Sequence, residues 1–277
     1  MSPLIEIEEL RSATGPIILI DARAGADTYQ RYLNGHLEGA QFADLDKDLA
    51  IKPENAAFGG RHPLPSLEDF SKLLGKFGIT PESHVVVYDD KAAAFGGARF
   101  WWMLNSIGHK KVQVLNGGLQ AVINAGVPLS TEPFTAEPVQ PYPVPAEYSG
   151  TVEIEKAAEA AKNDDQMVID VREAYRYLGQ SEPIDLVAGH IPGAVNLPYT
   201  FNLDATGKYL FAEELKRSYE ETFGNVKPDE IIVHCGSGVT ACHTLLGMEY
   251  AGIKGPKLYV GSWSEWSRRD LPIATDK

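Results

Sequence analysis

Cysteine is nearly missing: Cys235 and Cys242 are the only two in 277 residues. Two thiols on one short segment cannot staple a fold, so a disulfide framework is excluded and a reducing, cytoplasmic setting is expected. Long apolar runs are also missing. No stretch approaches the roughly 20 residues of a membrane span, and the acidic start MSPLIEIEEL has no basic segment leading into an apolar one. Neither membrane insertion nor a secretory signal is therefore expected. Positive charge is scarce, with 25 Lys and Arg against 38 Asp and Glu and a net charge of −13. A phosphate backbone would be repelled, which argues against nucleic-acid binding. No group of His, Cys and carboxylates has metal-ligand spacing, so neither a metal nor an organic cofactor is implied. What remains, 44% hydrophobic and 23% charged residues, reads as globular, with length for one large or two ordinary domains.

The chain repeats itself. Ile17-Ile18-Leu19-Ile20-Asp21-Ala22-Arg23 returns as Met167-Val168-Ile169-Asp170-Val171-Arg172, and Gly35-His36-Leu37-Glu38-Gly39-Ala40 as Gly189-His190-Ile191-Pro192-Gly193-Ala194. Val85-Val86-Val87-Tyr88-Asp89 matches Ile231-Ile232-Val233-His234-Cys235, and Gly117-Gly118 matches Gly261-Ser262. Ordered matches at nearly constant spacing indicate duplication. Between the copies the proline-rich stretch STEPFTAEPVQPYPVPAEYSG has no helical period and reads as an extended linker. The expected organisation is a domain over 1–130, a linker over 131–149 and a second domain over 150–277.

Short β-branched runs alternate with helix-like segments in each half. Ser66 to Leu74 reads as a capped amphipathic helix ahead of a buried strand at 84–88. Apolar strands between helices imply an α/β fold, with a parallel sheet covered on both faces. Ligands of such sheets bind beyond the carboxyl ends of the strands, which puts residues 89–97 and 235–241 at the two candidate sites.

One of these loops carries a nucleophile. Cys235-Gly236-Ser237-Gly238-Val239-Thr240 follows an apolar strand and runs into a helical pattern from Val239 to Tyr250. Backbone N–H groups of such a turn and helix start favour an anion there, a thiolate or a terminal persulfide. Gly236 and Gly238 let the backbone curl around the sulfur. Cys242, inside the helix pattern, reads as a small core residue. Cys-x5-Arg phosphatases use a similar loop, but their arginine would fall at Ala241, and without it a phosphate dianion loses its bidentate partner.

With the loop in hand, further stretches become informative. They include Gly97-Ala98-Arg99-Phe100-Trp101-Trp102-Met103-Leu104, Leu115-Asn116-Gly117-Gly118, Arg176-Tyr177-Leu178-Gly179 and Gly261-Ser262-Trp263-Ser264-Glu265-Trp266. On these the chain resembles, along nearly its whole length, the tandem-domain rhodanese and 3-mercaptopyruvate sulfurtransferase family. The resemblance implies two rhodanese-like domains, with catalysis only in the second, since Asp89 stands where the first copy would need a cysteine. Within the family, Cys-Gly-Ser-Gly-Val-Thr marks mercaptopyruvate-type members, whereas thiosulfate-type members place basic residues after the cysteine. A loop without charge of its own suits a dianion less well.

The resemblance further implies that Cys235 carries sulfur as a persulfide and that Arg176 binds the donor's carboxylate. Gly236, Gly238, Val239 and Thr240 would cradle the sulfur anion. Asp44, His62 and Ser237 match residues proposed for the family as a proton-transfer triad, here working across the two halves; the lesser reading of Asp44 and His62 is a structural pair. The expected acceptor is a thiol such as thioredoxin, or cyanide in an assay. One departure stands out: the family's mercaptopyruvate members carry a second arginine in a Glu-Pro-Arg context, and here Glu182-Pro183 is followed by Ile184. A thiosulfate sulfurtransferase with the same nucleophile, and a persulfide carrier without turnover, remain alternatives. His36 and His190 read as turn-holding residues, and the tryptophans at 101, 102, 263 and 266 as packing.

Overall fold

Two sets of β-branched and apolar runs form two sheets of the same design. In a computed structural model describing residues 1–275, the first sheet holds β1 (Leu4–Ile5), β2 (Ile17–Arg23), β3 (Gln41–Asp44), β4 (His84–Tyr88) and β5 (Val112–Leu115) in the order β1-β5-β4-β2-β3. The second holds β6 (Thr151–Val152), β7 (Met167–Asp170), β8 (Val195–Asn196), β9 (Ile231–His234) and β10 (Lys257–Tyr259) in the order β6-β10-β9-β7-β8. Every pairing is parallel. Parallel strands need helical crossovers, which cover both faces and explain why the central strands are apolar throughout. Val85, Val86 and Val87, like Ile231 and Val233, are wholly buried.

The first set of crossovers comprises α1 (Ile7–Ser12), α2 (Thr28–Asn34), α3 (Leu45–Asp48), α4 (Leu67–Lys76), α5 (Gly96–Ser106) and α6 (Gly118–Asn124). The second comprises α7 (Ile154–Ala160), α8 (Ala174–Tyr177), α9 (Ala212–Phe223), α10 (Thr240–Tyr250) and α11 (Ser262–Trp266). The helix expected from Ser66 is α4: the Ser66 hydroxyl accepts the Asp69 N–H at 3.1 Å and caps it. All four tryptophans are buried.

The duplication extends to hydrogen bonds. Arg23 forks onto Asp21 and reaches the Gly35 carbonyl (2.7 Å), and Arg172 forks onto Asp170 and reaches the Gly189 carbonyl (2.6 Å). His36 stacks on Tyr32 and meets that residue's carbonyl through Nδ1 at 2.8 Å; His190 does the same with Tyr177. Both pairs hold the turn after the second strand of their sheet, as the Gly-His signature suggests.

The compact units do not follow the chain in two consecutive pieces. One comprises residues 1–51, 64–149 and 206–208; the other comprises 52–63, 150–205 and 209–277. The segment 52–63, from the first half of the sequence, therefore belongs to the second unit. The proline-rich stretch has no helix or strand, as expected, yet it is packed. Tyr142 is buried beside α4, exchanging hydrogen bonds with Ser71 and meeting His109 through its hydroxyl. Such side chains make 131–149 part of the first unit.

Candidate active site

β9 delivers Cys235 to the carboxyl edge of the second sheet, and α10 starts five residues later. The loop between them is held by the chain around α11. The Cys235 N–H donates to Ser262 Oγ (3.2 Å), its carbonyl accepts the Trp263 N–H (3.0 Å), and the Gly236 carbonyl accepts the Ser264 N–H (2.8 Å). Ser262 adopts a left-handed backbone, φ 54°. Its hydroxyl also donates to the Tyr259 carbonyl (2.8 Å), which ties the strained turn to β10. Gly238 has φ 72°, and a Cβ there would lie 2.4 Å from the Val260 carbonyl oxygen, so only glycine fits. Val239 is the N-cap of α10, and Thr240 opens its first turn, where backbone N–H groups lack intrahelical acceptors. Cys235 is 3% exposed; Cys242, one helical turn into α10, is wholly buried with its thiol donating to the Gly238 carbonyl at 3.4 Å.

Segment 52–63 docks onto α11 through two glycines. Gly60 has φ 78°, and a Cβ there would fall 2.3 Å from the Gly261 carbonyl oxygen. The Gly59 N–H donates to Glu265, the Arg61 N–H to Ser264 Oγ (3.0 Å), and Arg269 to the Ala57 carbonyl (3.1 Å). This docking sets His62 over the loop, with Nδ1 2.7 Å from Ser237 Oγ. Either the hydroxyl donates to a neutral Nδ1, or a protonated Nδ1 donates to the hydroxyl, so a proton can pass between them. Asp44 lies in the first unit, where its carboxylate caps α3 by accepting the Asp46 and Lys47 N–H groups and takes the Thr28 hydroxyl at 2.7 Å. It enters the functional reading through the sequence alone.

Arg176, on α8, is buried and heavily paired. Glu182 lies 2.8 Å away, Asp185 3.4 Å and Glu173 3.5 Å. Burial by itself lowers the pKa of this guanidinium, but the hydrogen bond and charge of Glu182, with Glu173 and Asp185, outweigh it and hold the pKa above the ordinary value. Glu182 is the converse: burial opposes its charge, and Arg176 with the Asp185 and Ile184 N–H groups holds it ionised. His234, directly before the nucleophile, is kept neutral by burial despite Asp170 at 3.8 Å.

Reading the sequence missed a second guanidinium at this loop. Arg61 donates through Nε to Asp185 at 2.9 Å, and a Cβ on Gly236 would lie 3.2 Å from its Nη2 and 3.4 Å from Nη2 of Arg176. The loop carries no charge of its own, yet two cations flank it. The only signal was adjacency to His62. Among the described residues no group of His, Cys, Asp and Glu is arranged to hold a metal ion.

At the matching place in the first unit stands Asp89. Its carboxylate accepts backbone N–H groups from Lys91 (2.8 Å), Ala93 (2.8 Å), Phe95 (3.2 Å) and Gly97 (3.1 Å). Burial raises its pKa, and these four donors offset that only in part. A strand end followed by such a loop is thus an anion cradle, here filled by the chain's own carboxylate.

Comparison with known proteins agrees with this architecture. The rhodanese-like domain family matches twice, over residues 6–125 and 153–269. A probable 3-mercaptopyruvate sulfurtransferase of Pseudomonas aeruginosa is 39% identical, over 93% of this chain and 89% of its own. The thiosulfate sulfurtransferase of Gallus gallus is 33% identical, over 89% of this chain and 83% of its own. The solved 3-mercaptopyruvate sulfurtransferase from Leishmania major superposes with a TM-score of 0.83 at 32% identity, covering 96% of this chain and 74% of that one. No helix among the described residues is long and apolar enough to cross a membrane. The chain belongs to the rhodanese-like family, carries its domain twice in tandem, and is an enzyme of the sulfurtransferase class.

Proposed function

We propose that the chain takes sulfur from 3-mercaptopyruvate onto Cys235 and passes it to a thiol. The observation that carries this reading is the Ser237–His62 contact beside the Cys235 loop, since proton handling is what a carbon leaving group demands and thiosulfate does not. The Cys235 thiolate attacks the donor sulfur. A sulfur–sulfur bond forms, the carbon–sulfur bond breaks, and its electron pair leaves as pyruvate enolate. The proton on the transferred sulfur passes through Ser237 and His62 to the enolate carbon, giving pyruvate and a persulfide anion. The family resemblance adds Asp44 to this triad as its carboxylate.

Arg176 supplies positive charge at the loop for the donor carboxylate, and the backbone of Gly236, Gly238, Val239 and Thr240 cradles the sulfur anion. An acceptor thiolate then attacks the outer sulfur and regenerates the Cys235 thiolate. A thioredoxin-like dithiol in the cytoplasm suits that step: one of its thiolates takes the outer sulfur, the other displaces it as sulfide, and the dithiol is left as a disulfide. In this reading residues 1–130 form a domain without a nucleophile of its own, which lends His62 to the site on segment 52–63, with 131–149 its connector and 150–277 the catalytic domain.

A second donor has an observation in its favour. Two guanidiniums beside Gly236 would also attract thiosulfate, a dianion. Comparing kcat/KM for the two donors, in the wild type and in His62→Ala, separates the readings. Mercaptopyruvate is expected to lead in the wild type, and His62→Ala to cost it about 100-fold while sparing thiosulfate. A wild type that favours thiosulfate, or equal losses for both donors, would reverse the assignment.

A further inference from the structure

Two equivalent turns differ in length. Four positions separate Tyr32 from His36, the stacked pair of the first unit, and thirteen separate Tyr177 from His190, the matching pair of the second. The longer turn belongs to the unit that holds Cys235, and it points acids inward and aliphatics outward. Glu182 meets Arg176 at 2.8 Å and Arg172 at 3.2 Å, and accepts the Ile184 and Asp185 N–H groups at 3.0 and 3.1 Å. Asp185, its side chain wholly buried, meets Arg61 at 2.9 Å, Arg268 at 3.1 Å and Arg176 at 3.4 Å. The Val187 carbonyl accepts the Trp263 indole N–H at 2.9 Å. Between these anchors the side chains of Ile184, Leu186 and Val187 stand in solvent, 53%, 68% and 40% exposed as residues.

A turn pinned by buried ion pairs cannot fold its aliphatics inward, so they form a standing apolar patch, and its order in advance lowers the entropy lost when a partner covers it. The patch is continuous with the nucleophile's loop: a Cβ on Gly236 would lie 3.6 Å from Asp185 Oδ2. We infer that residues 184–187 are the docking surface for the sulfur acceptor, and that this acceptor is a protein dithiol whose reactive cysteine sits in an apolar surface edged by acids. The inference deepens the function proposed above and rests on its acceptor step, not on which donor loads Cys235. A small thiol has no surface with which to cover three aliphatic side chains, whereas an apolar protein face gains by burying them. The chain carries a net charge of −13, yet the Arg61 and Arg268 side chains beside Asp185 are 26% and 20% exposed, which attracts an acidic rim to this edge. A second copy of the chain, paired patch to patch, would instead set these arginines against their own kind. In the transfer the docked thiolate attacks the outer sulfur. A new sulfur–sulfur bond forms, the bond to Cys235 Sγ breaks, and its electron pair stays on Cys235 as thiolate.

The test follows the acceptor half-reaction of the full chain, with Cys235 loaded in advance by 3-mercaptopyruvate and, separately, by thiosulfate. Reduced thioredoxin is the protein dithiol and dithiothreitol the dithiol without a surface. Wild type is compared with Leu186→Ser and with the double variant Ile184→Ser, Leu186→Ser; both side chains are exposed, so the substitutions leave the fold intact. The double variant is expected to slow transfer to thioredoxin about 10- to 100-fold and transfer to dithiothreitol by less than about two-fold, with Leu186→Ser between. Equal changes for the two acceptors, or none for thioredoxin, overturn the inference. A wild type that sediments as a dimer and a double variant that sediments as a monomer, with the thioredoxin rate unchanged, would give the patch to self-association and overturn it as well. If only thiosulfate loads Cys235, the mercaptopyruvate assignment falls while the ratio of the two acceptor rates still judges the patch.

Discussion

The two units hold the same strand end in front of the same kind of loop and differ in what sits there. In the first, Asp89 reaches into its cradle with two oxygens and satisfies four backbone N–H groups. Ala92 and Ala93 bend into left-handed backbone to make this possible, at φ 56° and 61°. Such conformations cost on the order of 1 kcal/mol each, a cost that charge-assisted hydrogen bonds can offset. In the second unit the tethered group is a single sulfur atom. The carboxylate closes its cradle with its own second oxygen, whereas on the proposed reading the thiol of Cys235 would take up one more anionic atom. The comparison teaches that the fold supplies an anion site, and the residue at the strand end decides whether it is structural or chemical.

The largest effect that could break this contrast concerns the two cysteines. Cys235→Ser is expected to abolish sulfur transfer, by about 1000-fold or more, and Cys242→Ser to leave it within a few-fold, because Cys242 is packed into α10 with its thiol on the Gly238 carbonyl. Steady-state pyruvate release reads both.

The next effect sharpens the structural half. Asp89→Asn keeps the shape but replaces one accepting oxygen with an amide that meets N–H donors head on. Chemical unfolding of the intact chain is expected to show a loss of about 1–3 kcal/mol, with faster hydrogen exchange at two or more of the four amides. Unchanged stability and exchange would mean that the carboxylate is not what holds the loop.

The smallest effect compares the fourth residues of α5 and α10, Arg99 and His243, both fully buried. His243 stacks on Tyr209, and its Nε2 has no hydrogen-bond partner among the described residues. Burial pushes its pKa down to about 3. A base depressed in the folded state contributes stability that is complete above its unfolded pKa near 6.5 and is lost as pH falls toward 3. His243→Gln is therefore expected to shrink the loss of unfolding free energy between pH 7 and pH 5 by about 1–2 kcal/mol, whatever it costs at neutral pH. An identical pH slope would show that His243 is not part of the acid response.

The fold was legible where physics is local. Apolar runs such as Val85–Val87 and Ile231–Val233 announce buried parallel strands, and Ser66 with Asp69 announces a helix cap. The Asp-x-Arg and Gly-His signatures were visible as repeats, but not that each arginine reaches the carbonyl of the glycine before the histidine, because that contact spans a helix. The linker was legible as irregular and not as packed, since nothing in its composition says where Tyr142 goes. At the site, Cys235 and the glycines were readable from one loop. Arg61 was not, because it arrives by a docking between Gly60 and Gly261 that has no signature in either segment alone. Nor was the saturation of Arg176, which depends on Glu182 and Asp185 folding back over α8.

The central claim, that the second unit's cradle carries transferred sulfur on Cys235, is tested most directly by incubating the intact chain with 3-mercaptopyruvate without an acceptor and mapping added sulfur by peptide mass spectrometry. The account predicts one additional sulfur on the peptide containing Cys235, lost when an acceptor thiol is added. Added sulfur on Cys242, or a Cys235 peptide that stays unmodified while pyruvate is released, would contradict it.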